Sequence, residues 1–224
     1  MAWQTARSGV VVEESPVATP PANNRIHVAS FTSAPLGLPP PKPWKCSQST
    51  EKAHVTVETP PGRPETERWA HLVDGSDQDN ANLRQSFAPV TSGRFQVRLI
   101  SNKEGGRLFF NLGSGAASKP EERALQLEID NEGALVIRGG EHSHKTSSRI
   151  RIGEAYLVRC DFERATAGKA LGVQAELVGE STQLVSHVEA EMDASLPISA
   201  LRVTSTRADT GVDYYVTDVS LTGR

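Results

Sequence analysis

The chain has 224 residues, 37% hydrophobic and 23% charged, the length and composition of one globular domain or of one domain with a tail; collagen-like, coiled-coil and fully disordered chains are excluded. With 24 Lys and Arg against 27 Asp and Glu, the formal charge is -3, so no net basic field is present to displace counterions and no nucleic-acid partner is expected. No run of about 18 apolar residues occurs, so no membrane insertion is expected either.

The chain opens Met1-Ala2-Trp3-Gln4-Thr5-Ala6-Arg7, without the apolar stretch and small-residue cleavage site of a secretory signal. Read literally, that describes a cytoplasmic or already trimmed protein. All of the 14 prolines except Pro89, Pro120 and Pro197 precede residue 67, and clusters such as Pro39-Pro40-Pro41 and Pro60-Pro61 cannot lie inside helices or central strands. Residues 1–24 therefore read as an extended Pro-rich arm or linker, with Val10-Val11-Val12 its one strand-like piece, and residues 25–224 as the domain proper.

Within the domain, β-rich segments recur with turn signals between them. Strands are predicted at Ile26–Phe31, His54–Glu58, Trp69–Val73 and Asn82–Phe87, followed by Arg94-Phe95-Gln96-Val97-Arg98-Leu99, whose alternation puts apolar side chains on one face and polar ones on the other. Further strands are predicted at Leu108–Leu112, Leu125–Ile129 and Ala134–Arg138. Asp130-Asn131-Glu132-Gly133 supplies the Asn and Gly of a hairpin turn between the last two. In Ala155–Phe162, Tyr156, Val158, Cys160 and Phe162 share an apolar face, which makes Cys160 a buried thiol; Cys46 and Cys160 leave open one long-loop bridge or two free thiols. Leu171–Leu177, Gln183–His187, Leu201–Thr204 and Val212–Leu221 complete the set, and only Lys119–Ala124 and Val188–Ala194 read as a helical turn or two. About thirteen strands exceed an immunoglobulin sandwich and predict an all-β, two-sheet antiparallel jelly-roll sandwich behind the arm.

The order of several features adds to this. Phe31-Thr32-Ser33-Ala34-Pro35-Leu36-Gly37-Leu38-Pro39 followed by Trp44, then Trp69-Ala70-His71-Leu72-Val73-Asp74, Phe87, and the ending Tyr214-Tyr215-Val216-Thr217-Asp218-Val219-Ser220-Leu221 resemble concanavalin A-like lectin/glucanase domains, including laminin-G-like and carbohydrate-binding modules. The resemblance implies two curved sheets with ligands often on the concave one, in a superfamily of lectins, binding modules, glucanases, lyases and structural adhesion domains.

Four groups of residues are candidates for a site. Glu128-Ile129-Asp130-Asn131-Glu132 resembles the catalytic strand of laminarinase-type endoglucanases, where a nucleophile and an acid/base stand on one strand face; the competing reading is a solvated hairpin tip. Asp74, Asp77 and Asp79 crowd oxygen ligands into one loop, and the resemblance implies that Asp218 in the last strand is a calcium ligand; a turn stabilised by Asx side chains is the alternative to a structural calcium. Glu141-His142-Ser143-His144 offers two imidazoles to zinc or copper, against a polar loop. Last, the polar alternates Gln96, Arg98, Arg159, Asp161, Gln174, Glu176, Arg202 and Thr204 project from the strands, either to grip sugar hydroxyls or a carboxylate or simply to meet solvent.

Three Trp and three Tyr are few for stacking on sugar faces. Trp44, Trp69 and Phe87 are expected in the core, leaving one or two exposed tyrosine rings at most. The leading expectation is a non-catalytic carbohydrate-binding or adhesion module that recognises a soluble or charged glycan through Arg98, Arg159, Asp161, Gln174, Glu176 and Arg202. A glycoside hydrolase or polysaccharide lyase using Glu128, Asp130 and Glu132 is the second reading. A homo-oligomer or larger assembly docked through residues 1–24 is the third. Glycan-binding modules act mostly outside cells, which sets an extracellular or cell-surface expectation against the literal N-terminus.

Overall fold

The computed structural model describes residues 24–47, 50–139, 142–164, 170–181, 185–193, 197–206 and 211–223. Residues 1–23 of the expected arm lie outside the described residues. The strands are β1 (Asn24–Ala29), β2 (Lys45–Cys46), β3 (Ala53–Glu58), β4 (Trp69–Asp74), β5 (Asn82–Val90), β6 (Ser92–Ser101), β7 (Leu108–Gly113), β8 (Arg123–Ile129), β9 (Ala134–Gly139), β10 (His142–Arg149), β11 (Ala155–Arg164), β12 (Ala170–Gly179), β13 (Val185–Asp193), β14 (Ile198–Thr204) and β15 (Val212–Gly223). A short 3-10 turn, Pro120–Glu122, falls inside the segment expected to turn.

The strands make two antiparallel sheets. An eight-stranded sheet runs β13-β12-β11-β6-β15-β4-β3, with β1 added to the far half of β15, and a seven-stranded sheet runs β10-β9-β8-β7-β14-β5-β2. The inward alternates of both sheets fill the gap. Phe95 of β6 meets Phe110 of β7 with ring centroids 5.7 Å apart, and Phe31 meets Trp44 at 6.2 Å. Each such side chain, fully buried, contributes about 1.5–3 kcal/mol relative to exposure. At one end Asp74 stitches the sheets together: it accepts the Ser76 amide at 2.9 Å and a short hydrogen bond from the Ser205 hydroxyl, whose oxygen accepts the Ala81 amide at 3.0 Å. Burial pushes the Asp74 carboxyl up despite those donors.

Several expectations are corrected. Residues from Val188 through Asp193 are not a helical turn but the second half of β13, where Val188 and Ala190 pack on the core while Glu189 and Glu191 are exposed. The segment after β9 is not a loop: β10 pairs with β9 although only Thr146 of its described side chains is buried. No tyrosine is exposed among the described residues, since Tyr156, Tyr214 and Tyr215 are all buried. Both thiols are free, with Cys160 in the core.

The outward face of the eight-stranded sheet holds a second, small apolar cluster of Trp69, Ile100, Ala155 and Tyr215. The Arg98 guanidinium lies over the Trp69 ring, 5.0 Å from its centroid. Beside it, His71 stacks on Tyr215 at 4.0 Å and is held between two carboxylates, Nδ1 to Glu58 at 2.8 Å and Nε2 to Asp213 at 2.7 Å. Burial opposes its protonation, but the hydrogen bonds and charges of Asp213 and Glu58 outweigh that and raise its pKa. Burial also opposes ionisation of Glu58 and Asp213, and their hydrogen bonds, together with the His71 charge, lower both.

The raised His71 contributes stability below its unfolded value of about 6.5, which is lost as pH rises through the folded value; the lowered acids contribute above about 4 and lose it as pH falls. The clamp is therefore strongest in mildly acidic solution. Urea unfolding from pH 6 to 8.5 is expected to show stability falling, and His71→Gln to cost about 1–3 kcal/mol at pH 6 and remove most of that fall. A slope unchanged in the variant would assign the pH dependence to other groups.

Candidate functional site

The polar alternates singled out in the sequence divide between the two sheets. Arg98, Arg159, Asp161, Gln174 and Glu176 stand on β6, β11 and β12 of the eight-stranded sheet, whereas Arg202 stands on β14 of the other. On the eight-stranded face each has a partner within the chain. Arg94 grips Asp161 in a bidentate pair at 2.6 and 2.8 Å, Arg159 bonds Glu176 at 2.9 Å, and Gln174 bonds Glu189 at 2.9 Å. Arg98 makes a bidentate pair with Glu180 at 2.6 and 3.1 Å and reaches Asp218 at 3.1 Å, which raises its pKa further above the usual arginine value.

The four aspartates do not converge. Asp74 is buried against Ser205, Asp77 and Asp79 are exposed in the following loop, and Asp218 faces Arg98 on β15, six residues beyond the Val212 that pairs with Asp74. Asp218 has a φ of 47° at an irregularity of the β15–β6 register, a left-handed conformation that Asp tolerates better than most residues. Among the described residues no group of three or more His, Cys, Asp or Glu side chains is placed to hold a metal ion. Glu141 and the side chain of His142 lie outside the described residues; His144 is exposed on β10.

The three carboxylates of the glucanase-like segment also separate. Glu128, on β8, is fully buried and accepts a short hydrogen bond from Arg138 Nε. Asp130 lies past the strand end and uses Oδ1 to accept the Glu132 and Ala134 amides, both at 2.9 Å, which shapes the hairpin turn. Glu132 is exposed and paired with Lys145 at 2.9 Å and Arg149 at 3.0 Å, which lowers its pKa.

The outward face of the seven-stranded sheet is arranged differently. Register places Lys45 opposite Arg84, Arg84 opposite Arg202, Arg202 opposite Asn111, Asn111 opposite Gln126, and Gln126 opposite Arg138. The result is one transverse row over six strands, roughly 24 Å at the usual strand spacing. Neighbouring rows place Ser86 by Ala200, and Thr204 by Phe109 and Glu128. Several polar atoms here are buried without a hydrogen-bond partner among the described residues: Asn111 Oδ1, Glu128 Oε1, Arg123 Nε and Arg202 Nε. Burial lowers the Arg202 pKa, and the neighbouring Arg84 and Arg123 charges lower it further.

Beside the row, a cavity of about 410 Å³ is lined in part by Pro43, Lys45, Arg84, Ser86, Gly115 and Ala200. The sequence signals only Arg202 of this row. Lys45, Arg84, Asn111, Gln126 and Arg138 become neighbours through strand order, which sequence periodicity does not contain.

Two antiparallel sheets packed face to face in this order form the concanavalin A-like jelly roll. Among solved structures, a sialidase superposes with a TM-score of 0.63 at 12% identity, over 89% of this chain and 18% of the sialidase. The apo Crh5 transglycosylase superposes with a TM-score of 0.52 at 12% identity, over 90% of this chain and 88% of its own. The lectin UEA-II, complexed with galactose, gives a TM-score of 0.48 at 14% identity over 88% and 99%. At these identities the likeness is one of fold. No protein-family model matches the chain, nor does any curated protein. A shared fold assigns no activity, so function is argued from the site.

The buried Glu128 depends on Arg138, whose own side chain is 43% exposed. Arg138→Ala leaves the carboxylate buried without its cation and is expected to cost roughly 1–3 kcal/mol at pH 7. Glu128→Gln/Arg138→Met should recover most of that loss in chemical denaturation. A cost below about 0.5 kcal/mol for Arg138→Ala would show that solvent reaches Glu128 freely.

Proposed function

We propose that the chain is a non-catalytic carbohydrate-binding module whose ligand, a soluble glycan chain, lies along the outward face of the seven-stranded sheet. The observation that carries this reading is the row Lys45–Arg84–Arg202–Asn111–Gln126–Arg138. It joins cationic and amide side chains with buried hydrogen-bonding atoms that have no partner among the described residues, on a face long enough for several linked sugar rings. A buried polar atom without a partner costs about 1–3 kcal/mol; Arg159 Nε on the eight-stranded sheet is such an atom too, so the row is set apart by its cations Lys45, Arg84 and Arg202, unpaired among the described residues, rather than by these atoms. Sugar hydroxyls donate and accept, and so suit both the Gln126 amide and the guanidinium donors.

The opposite sheet face supports the same assignment by contrast, because the described charges named above are satisfied by one another. Catalysis is disfavoured by the fates of Glu128, Asp130 and Glu132: a retaining glycosidase needs two carboxyls about 5–5.5 Å apart and free to exchange a proton with substrate. Here one is buried against Arg138, one accepts two turn amides, and one is paired with Lys145 and Arg149.

A screen of neutral and acidic polysaccharides, run with calcium and with chelator and followed by product analysis, tests the reading. Binding without products, weakened about tenfold or more by Gln126→Ala and by Arg84→Ala but unchanged by Arg94→Ala, is the expected result. Products that disappear in Glu128→Gln would make the chain an enzyme. Binding lost in Arg159→Ala instead would move the ligand to the eight-stranded sheet, and calcium-dependent binding would implicate the loop of Asp77 and Asp79. No binding to any polysaccharide would overturn the proposal.

A further inference from the structure

Cations placed side by side on adjacent strands repel one another, and sheets ordinarily alternate them with carboxylates. The eight-stranded face does so, through Arg94 with Asp161 and Arg159 with Glu176. At one end of the seven-stranded face the alternation fails. Arg84 has Lys45 opposite it on one side and Arg202 on the other, and none of the three forms an ion pair among the described residues. Among the described residues Glu122 is the carboxylate whose charge favours the Arg202 cation, but it makes no ion pair with it: its Oε2 accepts the Ser118 amide at 2.9 Å, the Ser118 hydroxyl at 3.0 Å and the Lys119 amide at 3.3 Å. Arg123 adds a fourth positive charge nearby. The cavity of about 410 Å³ opens directly against Lys45 and Arg84, with Ser86 and the backbone of Gly115 on its wall. That volume is within the range of small-ligand sites.

An anion there offsets the two neighbouring repulsions, Lys45 with Arg84 and Arg84 with Arg202, and a planar or tetrahedral oxyanion accepts paired hydrogen bonds from a guanidinium. We propose that this cavity seats a sugar-borne oxyanion, the carboxylate of a uronic acid or a sulfate ester, held by Lys45 and Arg84 on its wall with the Arg202 charge on the next strand behind Arg84, so that the glycan lying along the seven-stranded sheet is an acidic one. The inference rests on the carbohydrate-binding reading and names the class of sugar it selects. Gln126 and Arg138, farther along the row and open to solvent, then contact the hydroxyls of the adjoining sugars.

Titration calorimetry of the full chain against four polysaccharides tests this: polygalacturonate, its fully methyl-esterified form, dextran sulfate and dextran. The acidic member of at least one pair is expected to bind about tenfold or more tightly than its uncharged counterpart, with an affinity that falls as salt is raised. The pair that shows the preference distinguishes carboxylate from sulfate. Arg84→Ala, an exposed position, should abolish the preference, Arg202→Lys should weaken it, and Arg94→Ala on the other sheet should leave it intact.

Equal binding of charged and uncharged members, still lost in Gln126→Ala, would remove the oxyanion seat and leave the carbohydrate-binding reading standing. No binding to any of the four or to the wider screen would remove both. A preference that survives Arg84→Ala but disappears in Arg94→Ala would place the anion on the eight-stranded sheet and overturn the proposal.

Discussion

Each strand commits alternate side chains to the gap between the sheets, and this one constraint determines what the rest of the molecule can do. Phe95, Val97 and Leu99 of β6 and Phe110 and Leu112 of β7 fill that gap, so Gln96, Arg98, Phe109 and Asn111 point away from it. Neither outward set can be moved inward by a register slip without exposing the aromatic core. Both outer faces are therefore fixed as firmly as the interior, which is the property a binding surface built of side chains requires.

The two faces use that rigidity in opposite ways. On the eight-stranded sheet, Arg98 covers Trp69 while paired with Glu180 and Asp218, and His71 sits between Glu58 and Asp213; the charges stabilise a second layer of packing. On the seven-stranded sheet the cations gather at one end and the carboxylate Glu128 is buried under Arg138 toward the other. A chain with a formal charge of -3 thus presents a local positive site, which net charge alone conceals.

Strand number and alternation were legible in the sequence because most strands keep one apolar face, as in Arg94–Leu99 and Leu171–Leu177. β10 escaped because His142-Ser143-His144-Lys145-Thr146-Ser147-Ser148-Arg149 has no apolar alternate, and backbone pairing with β9 holds it in the sheet instead. The second half of β13 carries a helical signal in sequence because Val188, Ala190 and Met192 are interspersed with Glu189 and Glu191, good helix formers, and tertiary pairing with β12 overrides it. β2, two residues long, leaves no period to detect.

The candidate site was legible only in fragments, for a topological reason. Alternation assigns a side chain to the inside or the outside of its own strand, but says nothing about which strand lies next to it. Arg202 was grouped with Arg98 and Arg159 because all three are outward; strand order places it instead between Arg84 and Asn111. Asp74 likewise read as an ion ligand from its acidic neighbours in the sequence, while its buried partner, Ser205, is supplied by β14's end on the other sheet.

One structural explanation competes for the basic row. A lysine on an edge strand discourages pairing with another chain, and Lys45 stands on β2, at the edge of its sheet. That accounts for Lys45 alone. Arg84 and Arg202 lie on β5 and β14, each with a hydrogen-bonded strand on both sides, where no open edge needs protection. Arg202 is moreover partly buried, so its charge is desolvated without a compensating ion pair among the described residues. Edge protection calls for exposed and well-hydrated charge, which describes Lys45 and Arg84 but not Arg202. A ligand that supplies the missing negative charge accounts for all three residues together.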